Sequence, residues 1–582
     1  MKATIIIEKN VPATMRDGTI LYADVYRPAE EGKHPVLLSR IPYGKHDPFY
    51  SHRYLDTNRL VENGYVVIIQ DVRGRFASEG EFSMFQNEAK DGYDTVEWAA
   101  ALTYSNGKVG MFGLSYYGYT QLLAATEKPP HLEAIFPAQT LNDSRNGSLY
   151  QDGALSLGLF HTLMIESFMP DLMKRTYKDP AKYVEMMQKW AYEVDNIKEW
   201  YQQKPINASP YLEKFGIEGD FLEMISHELD DEAYWKLTSI LDKYSDIQVP
   251  AFHVAGWYDC FLNATTENFM NLQKETNQMQ KLMIGPWAHG DFGSVIGDRS
   301  FGMAASEHMI DLQEDLTGLH LRWFDYWLKG ERTKIMEEAP VKVFVMGINE
   351  WREENEWPLA RTEYIPFYFH GNGKANTRTG DGSLSCKKPL NEPADQFIYN
   401  PENPVPTKGG GVLFDDIAVE GPRDQQAIED REDVLVYTSE TFTESMEVTG
   451  PVSVKLWAKT DAKDTDFTAK LIDVSPDGTA YNLTDGIIRA RYRNGYQPAA
   501  DLNQEIIEYD INLAATSNVF LPGHRIRVEI SSSSFPRFDL NPNTGDSLFD
   551  TTEMKPAQQT VYHEEDYSSY IVLPVIPKEN KK

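Results

Sequence analysis

KVGMFGLSYYG, residues 108–118, is the stretch that decides the fold of this chain. Its first half, which ends at Phe112, has the apolar character of a buried strand. The small and apolar residues 119–125 predict a helix packed behind that strand. Because strands and helices alternate throughout this part of the chain, the stretch indicates an α/β fold with a parallel sheet.

Ser115 lies in the turn between the strand and the helix. Gly113 precedes it by two residues and Gly118 follows it by three, and glycines relieve the clash of side chains in a very tight turn. This is the pattern of a nucleophile elbow, which presents a serine hydroxyl at the end of a strand. The usual spelling is G-x-S-x-G, whereas Tyr117 occupies the fifth position here. On this motif alone, an ordinary strand-to-helix turn is an equal alternative.

The sequence pattern of the rest of the chain predicts several structural segments. Residues 1–30 alternate around an Asp-Gly turn and predict a hairpin. Residues 35–125 alternate strands and helices, and such sheets bind ligands at the carboxyl ends of their strands. Residues 145–245 have helical periodicity, and strands return at 249–256 and 281–286.

From residue 340 onward, short alternating strands separated by turn residues predict an all-β sandwich, and VKVFVMG at 341–347 is assigned to it. Asp461, Asp464 and Asp466 are crowded together, but their spacing departs from an EF-hand loop, so we favour solvated loop acids over a cation site. The predicted domains are the first part of the sheet domain (1–144), a helical insertion (145–245), the second part of the sheet domain (246–335) and the β-sandwich (336–582).

Composition disfavours several classes of partner. The formal net charge is −32 over 582 residues, which repels nucleic acid and anionic membrane surfaces. Cys260 and Cys386 cannot form a disulfide framework and match no metal-ligand spacing. The apolar run before Glu8 is too short for a signal peptide or a membrane span, so we expect a cytoplasmic protein.

Two residues farther along the chain complement Ser115. A serine nucleophile needs a base within hydrogen-bond reach and an acid that orients the base, and in this fold class the order is Ser, Asp or Glu, then His. Asp259 follows the strand at 249–256 and His289 follows the strand at 281–286. Both therefore fall on the same edge of the sheet as Ser115, and we predict a catalytic triad of these three residues.

Two other residues are rival candidates for the roles of base and acid. Singly, an Asp after a strand is usually a cap or turn residue, and a lone His is usually structural. His253 is the rival base, but it lies within a strand. Asp71 is the rival acid, but it precedes the serine and has the wrong order.

The oxyanion of the tetrahedral intermediate needs two hydrogen-bond donors. In an elbow, one donor is the backbone N–H of the residue after the nucleophile, here Tyr116. The loop after the first strand of the parallel sheet has no run of glycines, but Tyr43 in that loop carries a phenol that stays protonated near neutral pH. Tyr43 is therefore the candidate for the second donor, although a Tyr in such a loop more often packs.

Five motifs taken together resemble the cocaine esterase and X-Pro dipeptidyl-peptidase family of α/β-hydrolases. They are RIPYG, DVRGRFASEG, GLSYYG, GWYDCF and GPWAH. RWFDYWLKG, VFVMGINEWR and DVLVYTSE extend the resemblance over essentially the whole chain. It implies an α/β-hydrolase domain with an inserted helical cap and a C-terminal jelly roll. It also implies that Ser115, Asp259 and His289 are the triad, with Tyr43 and the Tyr116 amide as the oxyanion hole.

The resemblance implies hydrolysis of acyl esters or amides, with no metal and no organic cofactor. Members that act on free amines need a carboxylate near the serine, and the site motifs offer only Asp259; Glu166 or Asp171 in the cap could provide one. We therefore favour a small uncharged acyl ester as substrate. An X-Pro dipeptidyl-peptidase or α-amino-acid ester hydrolase is the alternative, and a non-catalytic carbohydrate-binding protein is less favoured. Assembly into a homo-oligomer is left open.

Overall fold

The computed structural model describes residues 5–206, 214–216, 223–413, 420–500, 502, 504–547, 549 and 551–578. Two large sheets, one of ten strands and one of eleven, organise these residues. The strands up to residue 354 are β1 (Ile5–Thr14), β2 (Ile20–Pro28), β3 (His34–Ile41), β4 (Val66–Asp71), β5 (Ser105–Leu114), β6 (Leu132–Ala138), β7 (Tyr150–Gln151), β8 (Ala154–Leu155), β9 (Ala251–Tyr258), β10 (Gln280–Ala288), β11 (Val295–Ile296), β12 (Arg299–Ser300), β13 (Val341–Val345) and β14 (Glu350–Glu354).

The first sheet has the strand order β1-β2-β4-β3-β5-β6-β9-β10-β13-β14. Neighbours from β4 to β13 run parallel, whereas β1, β2 and β14 are antiparallel to their neighbours. The predicted hairpin at residues 1–30 and the predicted parallel sheet are therefore both confirmed. The strands β7 and β8 pair only with each other, as do β11 and β12.

Helices cover both faces of this sheet. The α-helices are α1 (Thr57–Glu62), α2 (Glu88–Ala100), α3 (Tyr116–Thr126), α4 (Leu157–Thr162), α5 (Met169–Thr176), α6 (Pro180–Asp195), α7 (Ile197–Tyr201), α8 (Glu223–Ser226), α9 (Glu232–Trp235), α10 (Leu262–Glu275), α11 (Leu316–Phe324) and α12 (Gln426–Glu429). None of the helices in the described part of the chain is both long and apolar enough to cross a membrane.

Burial on both faces explains why the central strands are continuously apolar. In β3, Val36 and Leu38 belong to one hydrophobic cluster and Leu37 belongs to another, since successive side chains of a strand point to opposite faces. Every residue of β4, β9 and β10 is buried, as is usual for the strands of a covered parallel sheet. The carboxyl ends of these strands therefore lie on a rigid edge.

The described part of residues 145–245 is largely helical, as predicted, and lies in the chain between β6 and β9. Near the end of this segment, residues 223–241 contain only the four-residue helices α8 and α9. A segment with π-helical hydrogen bonding, Leu163–Phe168, precedes α5.

The prediction that residues 341–347 belong to the β-sandwich is wrong for residues 341–345, which join the first sheet, whereas Met346 is bridged to Asn518 of the second sheet. The strand β13 pairs in parallel with β10, with Leu282 opposite Val341, and β14 then closes the edge. The first sheet therefore continues past residue 336 as far as β14. Alternation of apolar residues identifies a strand but not its neighbour, and the far side of the buried strand β10 requires a hydrogen-bonding partner.

The second sheet contains the remaining eleven strands. They are β15 (Glu363–His370), β16 (Ser383–Ser385), β17 (Asp395–Tyr399), β18 (Leu435–Ser439), β19 (Met446–Thr460), β20 (Asp466–Val474), β21 (Ala480–Arg489), β22 (Ile507–Phe520), β23 (Arg525–Ser531), β24 (Ala557–Val561) and β25 (Tyr570–Val575). The path runs β17-β24-β19-β25-β15-β16-β18-β23-β20-β21, with β22 paired to β19. The C-terminal part is thus a separate sheet-rich domain.

Two of the three crowded aspartates, Asp464 and Asp466, are buried ion-pair partners, whereas Asp461 is exposed. Arg489 donates to Asp466 through two nitrogens at 2.9 Å each and also to Asp539, while Arg491 Nε lies 2.7 Å from Asp464. The interpretation of Asp464 and Asp466 as solvated acids is therefore wrong. Their arginine partners come more than twenty residues later in the chain, where the spacing of the aspartates gives no sign of them.

Candidate active site

The turn at Ser115 has the geometry of a nucleophile elbow. Ser115 follows β5 directly and has φ 58° and ψ −130°, a conformation that is strained for a residue with a side chain. Its backbone N–H lies 3.0 Å from the carbonyl oxygen of Ala138 and 3.1 Å from that of Gln139. These bonds to the end of β6 hold the turn, and the residue is 8% exposed.

The two glycines beside the serine are required by close approaches. A Cβ at Gly113 would lie 2.2 Å from the Tyr117 ring, and Gly113 itself has φ 147°. A Cβ at Gly118 would lie 2.8 Å from the Cβ of Thr140. The second glycine stands one position later than in the usual motif because that position is where α3 meets the end of β6.

Asp259 and His289 follow the neighbouring parallel strands β9 and β10. The Asp259 Oδ1 oxygen lies 2.7 Å from His289 Nδ1, and the two side chains are 0% and 6% exposed. A carboxylate at this distance accepts the Nδ1–H and leaves Nε2 as the basic nitrogen. The ring of His289 packs edge-on against Phe261, with the ring centroids 5.1 Å apart. The predicted pairing of acid and base is thus present at the edge that carries Ser115.

Tyr43 follows β3 on the same edge. Burial raises the pKa of its phenol to about 12, and a hydrogen bond with the side chain of Ser115 offsets part of that rise in pKa. Its ring stacks on Tyr50 at 4.8 Å and on Phe168 at 6.3 Å, although part of the ring remains exposed. Tyr43 is therefore a neutral donor held beside the serine hydroxyl.

Tyr116 is fixed by its side chain. Its hydroxyl donates to Glu88 Oε1 at 3.0 Å and accepts from the N–H of Phe85 at 3.1 Å. The other carboxylate oxygen of Glu88 binds Arg40 at 2.8 Å, and all these groups are buried. The backbone N–H of Tyr116 begins α3, where helices leave their first N–H groups without intrahelical acceptors. That N–H is available as an oxyanion donor.

Comparisons with known proteins establish the family of the chain. Residues 17–291 match the family model of the X-Pro dipeptidyl-peptidases (S15 family), and residues 333–572 match the X-Pro dipeptidyl-peptidase C-terminal non-catalytic domain. The cocaine esterase of Rhodococcus sp. (strain MB1 Bresler) is 39% identical over 580 residues, which cover 98% of this chain and 99% of that protein. The chain belongs to the cocaine esterase and X-Pro dipeptidyl-peptidase family.

Solved structures share the fold of this family member over nearly its whole length. The aminopeptidase of Thaumarchaeota archaeon superposes with a TM-score of 0.79 at 23% identity, covering 99% of this chain and 97% of that one. An α-amino acid ester hydrolase superposes with a TM-score of 0.77 at 24% identity, with the same coverage. At these identities the likeness establishes the fold and not the substrate.

Sequence reasoning missed Arg75, which lies in the DVRGRFASEG motif of the family. Its buried guanidinium donates to the carbonyl oxygen of Pro42 at 2.9 Å and to those of Ser167 and Phe168 at 3.1 and 3.3 Å. Burial lowers the pKa of Arg75 to about 10, so it stays cationic. Arg75 thus ties the loop that carries Tyr43 to the inserted helices. No local signal predicts these contacts, because the carbonyls are distant in sequence.

The carboxylates considered for binding a substrate ammonium are engaged elsewhere. Asp171 accepts from the N–H of Phe76 at 2.9 Å, and its Oδ2 lies 3.3 Å from Arg175 and 3.7 Å from Arg75. Its charge is therefore matched by two arginines. Glu166 is half-buried and has an interaction partner of its own.

The rival residues have structural partners. The imidazole of His253 lies in the middle of β9, where its Nε2 is 3.1 Å from Gln280 Oε1 and burial lowers its pKa to about 4. Asp71 binds the ammonium and the backbone N–H of Lys45, both at 2.8 Å. Neither residue is placed to act on Ser115.

Cys260 stands beside the acid–base pair. Asp259, Cys260 and His289 each place one potential ligand atom within 4.8 Å of the others. However, burial raises the pKa of the Cys260 thiol well above its usual value, which opposes the thiolate form that binds metals. Its Sγ instead lies 3.8 Å from Asp259 Oδ1 as a weak donor. Cys260 and His289 are therefore better suited to bind the carboxylate of Asp259 than to bind a metal ion together with it.

Proposed function

We propose that this family member is a serine ester hydrolase with Ser115 as nucleophile, His289 as general base and Asp259 as the residue that orients the imidazole. The single observation that carries the proposal is the 2.7 Å bond between Asp259 and His289 at the strand edge that also presents Ser115. The class of enzyme is that of the 39% identical cocaine esterase, which spans 98% of the chain.

The proposed domains follow from the two sheets. An α/β-hydrolase domain comprises residues 1–144 and 246–354, so that it includes β13 and β14. Residues 145–245 form a helical cap, and the remaining residues form a jelly roll. The cap is supported by Arg75, which joins it to the Tyr43 loop.

The proposed reaction has two halves. His289 accepts the proton of Ser115 as the serine oxygen attacks the acyl carbon, and the oxyanion receives hydrogen bonds from Tyr43 and from the Tyr116 amide. His289 then protonates the leaving alcohol, and the C–O bond breaks to give an acyl-enzyme. Water attacks this ester with His289 again as base, and the proton returns to Ser115 as the acid is released. Asp259 stabilises the imidazolium in both halves.

The substrate is proposed to be a small, uncharged acyl ester. A small cavity beside Cys260 has a mixed lining, with the apolar side chains of Leu159, Phe261, Val412 and Leu413 and the polar side chains of Ser148, Gln151, Ser156 and Arg537. Since Asp171 is neutralised by arginines, it adds no free charge for a substrate ammonium.

The test compares the wild-type protein with Ser115→Ala on a panel of nitrophenyl and alkyl esters. We expect Ser115→Ala to lower kcat by about 10⁴-fold or more and to abolish labelling by a fluorophosphonate. Ser383→Ala, at an exposed serine of β16, is the matched control and should retain full activity. Near wild-type turnover by Ser115→Ala would disprove the assignment of the nucleophile.

A second arm decides between acyl ester and amino-acid substrates. Each free-amine aminoacyl ester or amide is assayed beside its N-acetylated analogue. We expect the acetylated ester to be hydrolysed at least as fast as the free-amine ester. A strong preference for the free amine would instead identify an aminopeptidase or an amino-acid ester hydrolase.

A further inference from the structure

Gln139 is the first residue after β6 and is completely buried. It has φ 41°, a left-handed conformation that residues other than glycine adopt at a cost in energy. Neither a motif nor a chemical role singles it out in the sequence. Its hydrogen bonds, however, connect the turn of the proposed nucleophile with the loop of the proposed base.

The side chain of Gln139 binds the main chain on both sides of His289. Its Nε2 donates to the carbonyl oxygen of Ala288 at 2.8 Å, and its Oε1 accepts from the N–H of Gly290 at 2.7 Å. Because Nε2 faces an acceptor and Oε1 faces a donor, the orientation of the side-chain amide is defined. Both are bonds to backbone groups in a buried site, where leaving either group unpaired is costly.

The backbone of Gln139 binds the two strand ends beside it. Its carbonyl oxygen accepts from the N–H of Ser115 at 3.1 Å, and its own N–H donates to the carbonyl oxygen of Val254 in β9 at 2.7 Å. Four hydrogen bonds from one residue therefore reach the elbow, β9 and the two peptide groups that flank His289.

We propose that Gln139 is a positioning residue that sets the alignment of His289 with Ser115, an inference that rests on the proposed triad. The bond to Asp259 orients the imidazole within its loop, but it does not relate that loop to the elbow. The register of β10 against β9 shifts between Gly285 and Ala288, so regular strand pairing is interrupted just before His289. Gln139 restrains the backbone on each side of the histidine at that point. A misplacement of about 1 Å between reacting groups costs on the order of 10²-fold in rate.

The experiment uses the full-length protein and an ester that Ser115→Ala does not hydrolyse. Gln139→Met keeps the length of the side chain but removes both hydrogen bonds. We expect its kcat, and its rate of labelling by a fluorophosphonate, to fall by about 10- to 100-fold, with KM within about twofold of wild type. Gln280→Met is the matched control, since it also removes a buried glutamine bond, that to His253, but at the opposite end of the sheet. It should retain kcat while losing thermal stability.

Gln139→Glu tests whether kcat depends on the hydrogen bond that the side chain donates to Ala288 or only on the packing of that side chain. An ionised carboxylate accepts from Gly290 but repels the carbonyl oxygen of Ala288, whereas a protonated carboxyl group can donate to that oxygen. The ratio of its kcat to the wild-type kcat should therefore rise as the pH falls. The ionisable groups nearest these two peptide bonds are His289, which they flank, and Asp259, which is bonded to it; since an ionised carboxylate at position 139 raises the pKa of His289, kcat is measured across the whole pH profile of both proteins.

Two results would overturn the inference. One is a folded Gln139→Met protein with kcat within threefold of wild type, and the other is a kcat ratio for Gln139→Glu that does not change with pH. If Gln139→Met does not fold, the pH dependence of Gln139→Glu decides alone. Activity remaining in Ser115→Ala would instead overturn the proposed function, so the two failures are distinguishable.

Discussion

Replacing Tyr43 with Phe removes one hydroxyl and leaves the rest of the proposed oxyanion hole in place. The stacked contacts of the ring with Tyr50 and Phe168 need no hydroxyl, so the loop should keep its position. The backbone N–H of Tyr116 remains as the other donor. The substitution therefore isolates a single hydrogen bond to the developing oxyanion.

The expected loss of kcat follows from the protonation state of the Tyr43 hydroxyl. Burial raises the pKa of Tyr43 to about 12, so the phenol is protonated and can donate throughout the working range of a His-dependent hydrolase. Loss of one donor from an oxyanion hole costs about 10²- to 10³-fold in kcat, or about 2.7–4 kcal/mol. Because the charge develops only in the transition state, KM should change little. The ratio of wild-type to variant kcat should also be constant from pH 7 to about pH 10.

The assay is steady-state hydrolysis of a nitrophenyl ester by Tyr43→Phe, with Tyr117→Phe as the control. The hydroxyl of Tyr117 is buried beside the same ring and has no hydrogen-bond partner among the described residues, so its loss should change kcat by less than about twofold. A Tyr43→Phe enzyme within threefold of wild-type kcat would refute the role of Tyr43. If the ratio of wild-type to Tyr43→Phe kcat fell towards one between pH 8 and 9, the argument that burial keeps the phenol protonated would be refuted.

Three further predictions concern the elbow, the second domain and a buried histidine. Gly113→Ala should lower kcat by about 10²-fold or more, because the new Cβ would overlap the Tyr117 ring; unchanged steady-state kinetics would contradict this. Arg489→Met leaves two carboxylates of the second domain buried without their partner and should lower the free energy of unfolding by about 3–5 kcal/mol; an unshifted urea midpoint would rule this out. Burial lowers the pKa of His253 to about 4, below its unfolded value of about 6.5, so the unfolded state binds more protons between those values. Wild type should therefore lose stability relative to His253→Asn as the pH falls through that window, by up to about 1.4 kcal/mol per pH unit; equal differences in unfolding free energy at pH 4.5 and pH 7 would count against the burial argument.

The geometry of Asp259 and His289 could be anticipated because it depends on chain order and on strand ends. Parallel strands that follow one another in a sheet present their carboxyl ends on the same edge, so residues just past β9 and β10 had to be neighbours. Local periodicity was enough to locate those strands. The proximity of the acid and the base is a consequence of topology, which the alternation of strands and helices encodes.

Other features depended on tertiary contacts that have no local signature. The strand at Val341 looks like any other alternating strand, and only the open edge of β10 determines its partner. Asp464 and Asp466 are buried because arginines far along the chain neutralise them. Gln139 acts through an amide that binds main-chain groups about 150 residues away. Single-residue patterns do not contain such pairings.

The position of β13 and β14 has a consequence for the order in which the protein is made. All three proposed catalytic residues have been synthesised once residue 289 is added, but the edge of β10 stays unpaired until β13 has been synthesised. Exposed strand edges are templates for wrong pairing, and nascent domains begin to fold before the chain is complete. Between the synthesis of residues 289 and 345, the nascent chain therefore carries an unpaired strand edge that exposes it to aggregation.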